Sequence, residues 1–140
     1  PSQPTPLSNE PGSALESQIE VVAGVLSGQR PNEVILFRRA QDQRHAGVWE
    51  FPGGKLEPGE TLEAALIREW MEELCLSIEV LEHICTVSDR RIRLHAFRVS
   101  SDGSTPSFTV HDSAKVVSLD AAPPEPINQL DRQVFSALNV

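Results

Sequence analysis

Short runs of apolar residues, many of them β-branched, alternate along the chain with segments rich in Gly, Pro, Asn and Asp. Such runs are typical of strands, and the segments between them are typical of turns. The pattern predicts strands at residues 19–26, 34–37, 78–87, 91–99 and 115–119, with a short extended segment at 48–51. The sequence Pro-Gly-Gly at 52–54 is expected to end that segment, and residues 88–90 are expected to form a hairpin turn.

Two other segments have the periodicity of a helix. Residues 61–74 predict a helix that begins at Thr61, a good N-cap residue with acidic neighbours at the positive end of the dipole. Residues 127–138 predict a second helix, with Leu130, Val134 and Leu138 at helical spacing. The order strands, helix, strands, helix predicts the α/β (α+β) class, with a mixed β-sheet packed between helices.

The N-terminal region differs in composition from the rest of the chain. Residues 1–17 contain four prolines and no apolar periodicity, which predicts a disordered tail or linker. We therefore expect one folded domain at residues 18–140, and a chain of 140 residues is long enough to bury a core of its own.

Charge and cysteine content limit the classes of partner. A formal net charge of -8 repels polyanions, so no nucleic acid polymer is expected as a partner, although a metal ion could bridge acidic groups to a small phosphorylated ligand. Cys75 and Cys85 lack metal-ligand spacing and predict free thiols in a reducing compartment, the cytoplasm. No apolar run approaches the roughly 20 residues that span a bilayer, so no membrane partner is expected. The oligomeric state stays open.

The first predicted helix carries an unusual acidic face. Glu69, Glu72 and Glu73 have the spacing i, i+3 and i+4, which places three carboxylates together, and a hard cation such as Mg²⁺ would relieve their repulsion. An acidic face alone is typical of a solvated helix, but the preceding loop at 53–60 has three glycines and two acids and can approach the helix closely. The residues expected to face the core are Ala64, Ile67, Met71 and Leu74.

Loop and helix together resemble the Nudix box: Gly, five residues, Glu, seven residues, Arg-Glu, an apolar residue, any residue, Glu-Glu, any residue, Gly, then an apolar residue. The matching positions are Gly54, Glu60, Arg68, Glu69, Trp70, Glu72, Glu73 and Leu76. Cys75 stands where the family has glycine, and a side chain in a left-handed cap costs roughly 1 kcal/mol. Residues 37–39, 48–55 and 91–97, with the closing pattern from Asp131 to Leu138, resemble MutT-type members, which hydrolyse nucleoside triphosphates.

The resemblance implies a set of site residues. The implied ligands of Mg²⁺, or of Mn²⁺, are Gly53 through its carbonyl and the side chains of Glu69, Glu72 and Glu73. The implied catalytic groups are Glu69, Glu73, Arg68 and Glu60; Arg68 would pair with Glu60, and either Glu69 or Glu60 would be the general base. The implied substrate-binding residues are Arg39, Phe51, Lys55, Asp112 and Asp131, with Asp112 as a further acid from a later loop. The histidines at 45, 83, 95 and 111 receive no role.

The resemblance further implies a Mg²⁺-dependent pyrophosphohydrolase that acts on a small nucleotide. It would release a nucleoside monophosphate and pyrophosphate from a triphosphate, with 8-oxo-dGTP among the candidates. CTP-like pyrimidine nucleotides or nucleoside diphosphate sugars are alternative substrates. An inactive nucleotide-binding regulator is a further alternative, which loss of a box glutamate would favour, and none is lost.

Overall fold

A computed structural model describes residues 17–139. The predicted tail, apart from residue 17, lies outside the described residues. Seven strands and two helices follow one another in the order β1 (Ile19–Ser27), β2 (Glu33–Arg39), β3 (Trp49–Glu50), β4 (Gly53–Lys55), α1 (Leu62–Leu74), β5 (Ile78–Ser88), β6 (Ile92–Ser101), β7 (His111–Ser118) and α2 (Gln129–Ala137).

The strands form one mixed sheet, organised around β1. Strand β1 runs parallel to β6, and every other strand pairing is antiparallel. On its other side β1 has two partners in turn: Val22 pairs with Gly54 of β4, and Leu26 pairs with Ile35 of β2. Strand β2 in turn lies between β3 and β7. The sheet therefore brings β3, β4 and β7 to the same side of β1.

The two helices cover opposite faces of the sheet. Helix α1 packs with Trp70 and Leu74 in a cluster that also holds Val22, Phe37 and Phe97. Helix α2 contributes to a second cluster through Leu130, Val134 and Phe135, which meet alternate residues of the same strands. The prediction of a mixed sheet packed between helices is confirmed. Neither helix in residues 17–139 is long and apolar enough to span a membrane.

The buried face of α1 differs from the prediction. Leu74 is buried as expected, but Ala64 is exposed, and Ile67 and Met71 are 42% and 48% exposed. The residues that face the core are Ala65, Leu66, Trp70 and Leu74. The physical reason is the indole of Trp70, which buries the largest apolar surface on the helix and donates from Nε1 to the Pro52 carbonyl at 2.9 Å.

The strand predictions hold except around two loops. Residues 53–55 were expected to follow the end of a strand, yet they form β4 against β1. Strand β7 begins at His111, four residues before the predicted start at Lys115. Both segments lack an apolar run. They are strands because they form hydrogen bonds with a strand that is distant in sequence, which their own pattern does not reveal.

Candidate active site

The loop between β4 and α1 lies tightly against β1 and the helix. A side chain at Gly53 would place its Cβ 1.8 Å from the carbonyl oxygen of Val22, and one at Gly54 would place it 2.5 Å from the carboxyl of Glu69. Both contacts are far below van der Waals distance. The two glycines therefore allow the backbone to approach the sheet and let the Glu69 carboxylate lie directly over the loop.

Arg68 joins this loop to α1, as the sequence predicted. Its guanidinium donates from Nε and Nη2 to the two carboxylate oxygens of Glu60, at 2.7 and 3.0 Å, and from Nη2 to the Lys55 carbonyl at 3.0 Å. Its Nη1 donates to Glu69 at 3.0 Å and to Glu72 at 3.3 Å. The fork to Glu60 holds the pKa of that carboxyl below its usual range.

Glu73 is the most strongly perturbed acid of the helix. Burial, reinforced by the charges of Glu50 and Glu69 and opposed by that of Arg39, raises the pKa of its carboxyl to about 9. Its Oε1 is buried and has no hydrogen-bond partner among the residues that the structure describes. A carboxylate in this position requires a compensating positive charge.

Glu50 and His111 meet Glu73 from the neighbouring strands. The Glu50 carboxylate accepts from His111 Nε2 at 2.7 Å and from Arg39 Nη1 at 3.1 Å. One ligand atom each from Glu50, Glu73 and His111 lies within 4.8 Å of the other two. We name these three residues the Glu50–Glu73–His111 cluster. With the neighbouring Glu69, it gives an oxygen-rich, buried environment that suits a divalent cation.

A cavity of about 400 Å³ opens beside this cluster, on the α2 side of the sheet. Glu50 and Gly53 lie in its wall together with Phe51 and Asp131. It is further lined by apolar residues of β1 and β6, which are Val21, Val22, Ile92 and Leu94. Its volume and mixed lining are typical of a site for a small ligand.

Asp131 is buried in the wall of this cavity. Its carboxylate accepts from the backbone N–H of Phe51 at 3.3 Å and from Asn128 Nδ2 at 2.7 Å, while Asn128 also caps helix α2. Burial, reinforced by the charge of Glu50, raises the pKa of Asp131 to about 7. The carboxyl can therefore donate or accept a hydrogen bond near neutral pH.

The remaining predicted site residues lie apart from one another. Glu72 has 58% of its side chain exposed and contacts Arg68, and the Lys55 side chain is exposed at the loop surface. Asp112 is exposed and pairs with Arg38 at 2.9 Å, which lowers its pKa. The register of β7 against β2 shifts at Asp112, between the pairs of Ser113 with Arg38 and His111 with Arg39, so Asp112 turns to Arg38 while His111 lies in the cluster.

Sequence reasoning assigned no role to Glu50 or His111. Glu50 lies on β3 and His111 on β7, and they meet because β2 pairs with both strands, through Phe37 with Glu50 and Arg39 with His111. No local spacing connects residues 61 positions apart. The only available signal is that Glu50 stands within the segment that resembles MutT-type proteins.

Comparison with known proteins places these features in a family. The model of the NUDIX domain matches residues 18–138. A CTP pyrophosphohydrolase of Escherichia coli K12 is 35% identical over 123 residues, which cover 85% of this chain and 90% of that protein. An 8-oxo-dGTP diphosphatase of Proteus vulgaris is 37% identical over 89 residues, 61% of this chain and 79% of that protein.

Solved structures give the same result for the fold. The solution structure of the Escherichia coli ORF135 protein superposes with a TM-score of 0.71 at 27% identity, covering 90% of this chain and 91% of that one. A MutT protein from Methanosarcina mazei superposes with a TM-score of 0.70 at 22% identity, covering 87% of this chain and 93% of that one. The chain therefore belongs to the Nudix family of hydrolases.

Proposed function

We propose that this protein hydrolyses nucleoside triphosphates in a Mg²⁺-dependent reaction and releases a nucleoside monophosphate and pyrophosphate. One observation carries the proposal: Glu50, which lies beside the box glutamate Glu73, lines a cavity of about 400 Å³ that has the buried acid Asp131 in its wall. Glu50 connects the two regions, since it lines the cavity and belongs to the cluster with Glu73. A nucleoside could occupy the cavity while its phosphates reach the carboxylates.

The residues present fit a bound divalent cation. Glu69 and Glu73 would hold it, together with the carbonyl of Gly53, and the unpartnered Oε1 of Glu73 supports this assignment. Glu72, which is more exposed, would contribute at the outer side. When bound, such a cation neutralises phosphate oxygens and lowers the pKa of a coordinated water.

Among the acids, Glu69 is the better candidate for the general base. Both carboxylate oxygens of Glu60 are occupied by Arg68, and the backbone N–H of Glu57 donates to one of them at 2.8 Å. A carboxylate with these partners and a lowered pKa is a weak base. We therefore assign Glu60 and Arg68 to positioning the loop and Glu69 to proton transfer.

Phe51 and Asp131 would recognise the base. The positively charged side chain of Lys55 would contact the phosphates. Asp131 can accept from an exocyclic amino group or, when protonated, donate to a ring nitrogen. Lys55 is exposed at the loop and free to reach a phosphate oxygen, whereas Arg39 is engaged by Glu50 and would act mainly by balancing its charge. We assign no substrate contact to Asp112.

Two triphosphates are the leading substrates. The resemblance to MutT-type members and the similarity to 8-oxo-dGTP diphosphatases favour 8-oxo-dGTP. The CTP pyrophosphohydrolase, which matches 85% of this chain, favours CTP. Free thiols at Cys75 and Cys85 support the cytoplasm as the compartment of either reaction.

The test is a comparison of kcat/KM with Mg²⁺ across 8-oxo-dGTP, CTP, the ordinary triphosphates, ADP-ribose and a nucleoside diphosphate sugar. We expect one triphosphate to be preferred, and Asp131→Ala to lower its kcat/KM by about tenfold or more, with less effect on the others. Gln129→Ala is the matched control, since Gln129 lines the same cavity but is exposed. Cleavage of only the sugar-linked compounds would refute the triphosphate assignment.

A further inference from the structure

Two residues of the Glu50–Glu73–His111 cluster each have a buried polar atom without a hydrogen-bond partner. In residues 17–139, Glu73 Oε1 and His111 Nδ1 are the two buried side-chain polar atoms without a hydrogen-bond partner. The His111 side chain has no exposed surface. Leaving a buried polar atom unpaired is unfavourable, so a cluster that holds two of them is incomplete as it stands. A cation bound in the cluster would give Glu73 Oε1 the partner that it lacks.

The separations in the Glu50–Glu73–His111 cluster are close to those of a coordination sphere. Bonds of about 2.0 to 2.2 Å place opposite ligand atoms up to about 4.4 Å apart. The three atoms of the cluster lie within 4.8 Å of one another. Movements of a few tenths of an ångström would bring them into bonding distance, and they would replace the present contact of His111 Nε2 with Glu50.

We propose that Glu50, Glu73 and His111 form a cation subsite with a mixed nitrogen and oxygen ligand set, which prefers a transition-metal ion such as Mn²⁺ to Mg²⁺. The inference rests on the proposed function through Glu73, which this subsite shares with the acidic face of α1. Glu50 and His111 extend the metal site beyond that helix, onto β3 and β7.

The ligand types determine the preference. Mg²⁺ selects oxygen ligands and keeps several waters, whereas imidazole nitrogen is a common ligand of first-row transition ions. Arg39 does not prevent binding, because a cation that displaces the proton of Glu73 meets two carboxylates and one guanidinium, a charge of about -1. Arg39 also donates to the Arg44 carbonyl at 2.7 Å, so it holds Glu50 in place from the side.

Pulsed electron paramagnetic resonance of the full chain loaded with Mn²⁺ tests the subsite directly, because an imidazole ligand gives ¹⁴N modulation of the echo. We expect the modulation in the wild type, its loss in His111→Gln, and its retention in the control His83→Gln, whose histidine is exposed on β5. Calorimetric titration should show Mn²⁺ affinity reduced about tenfold or more in His111→Gln, with Mg²⁺ affinity nearly unchanged.

A second variant guards against a folding defect. Glu50→Gln keeps the volume of the side chain, and we expect it to weaken Mn²⁺ binding while circular dichroism remains native. Absence of ¹⁴N modulation in the wild type, or its persistence in His111→Gln, would overturn the subsite. Mg²⁺-supported turnover of triphosphates is measured on the same wild-type sample: turnover without modulation overturns the subsite alone, and modulation without turnover overturns the proposed function alone.

Discussion

Among the glutamates of the box, Glu73 has the pKa that burial raises, and it is the one that belongs to the cluster with Glu50 and His111. Its raised pKa and its unpartnered oxygen indicate a carboxylate kept in an unfavourable environment. Such a residue lowers the stability of the metal-free fold, and a functional requirement explains its presence.

We predict that Glu73→Gln lowers kcat/KM by at least about a hundredfold, because a neutral amide cannot supply the charge that holds a divalent cation. The free energy of unfolding without metal should stay equal or rise, since the variant removes a buried acid whose pKa is raised in the folded protein. Steady-state kinetics and urea unfolding measure the two effects. Glu63→Gln, an exposed acid in the first turn of α1, is the control: kcat/KM should keep its wild-type value, and the free energy of unfolding should fall by at most about 1 kcal/mol.

Asp131 predicts a pH dependence of stability. Its pKa rises from 3.8 to about 7 in the folded protein, so the folded state binds the extra proton between these values. Its contribution to the free energy of unfolding is therefore full below about pH 4 and is lost as the pH rises to about 7. The free energy of unfolding of Asp131→Asn, measured relative to that of the wild type, should rise by about 1 to 3 kcal/mol when the pH is raised from 5 to 8.

Urea unfolding of the variant and the wild type at pH 5 and at pH 8 measures this rise in the free energy of unfolding. Asp42→Asn, at an exposed acid, supplies the comparison and should follow the wild type at both. Parallel behaviour of the Asp131 variant and the wild type would show that Asp131 does not carry a proton in the folded protein.

Individual residues were predictable where the chemistry is local. The resemblance implies the pairing of Arg68 with Glu60, two residues eight positions apart, and the structure contains it. The contact of His111 with Glu50 depends on two strands that flank β2, so no pattern within either segment reveals it. Asp112 was put forward because the resemblance implies a further acid from a later loop, and the structure places His111 in the cluster instead.

At the scale of the elements, the loop before α1 depends on one arginine. We expect Arg68→Lys to lower kcat/KM about ten- to a hundredfold, because an ammonium group cannot form the two-pronged contact with Glu60 and also reach the Lys55 carbonyl. Arg132→Lys, at the surface pair with Glu125, is the comparison and should retain full activity. Equal kinetics for the two variants would contradict this role of Arg68.

The end of α1 carries an avoidable cost. Cys75 has φ 55° and ψ 36°, the left-handed conformation that favours glycine, and its N–H closes the last turn onto the Met71 carbonyl. Cys75→Gly should therefore raise the free energy of unfolding by about 1 kcal/mol. Cys75→Ala keeps the Cβ and should give no comparable gain, which denaturant unfolding of both variants would check.

Apolar periodicity predicted most of the helices and strands. It did not always predict which face of an element is buried. On α1 the pattern admits two adjacent apolar stripes, and the choice between them depends on where Trp70 finds room beneath the sheet. Strand β4 has no apolar pattern at all, because its two glycines are selected by close approach to β1 and Glu69.

At the scale of the whole molecule, the topology brings the parts of the site together. Strand β1 pairs with β4, which leads into the box helix, and β2 carries both β3 and β7. The class of fold was predictable from the order of strands and helices. The order of strands in the sheet was not, because it depends on contacts between distant segments that the sequence pattern does not specify.

Metal-dependent cleavage between the phosphates of a nucleoside triphosphate is tested most directly by identifying the products formed in H₂¹⁸O, with Mg²⁺ and with a chelator. We predict Mg²⁺-dependent formation of a nucleoside monophosphate and pyrophosphate in equal amounts, with the ¹⁸O in one of them and no reaction with the chelator. Release of inorganic phosphate and a nucleoside diphosphate, or no reaction of 8-oxo-dGTP, CTP and the ordinary triphosphates by the folded protein, would contradict the account.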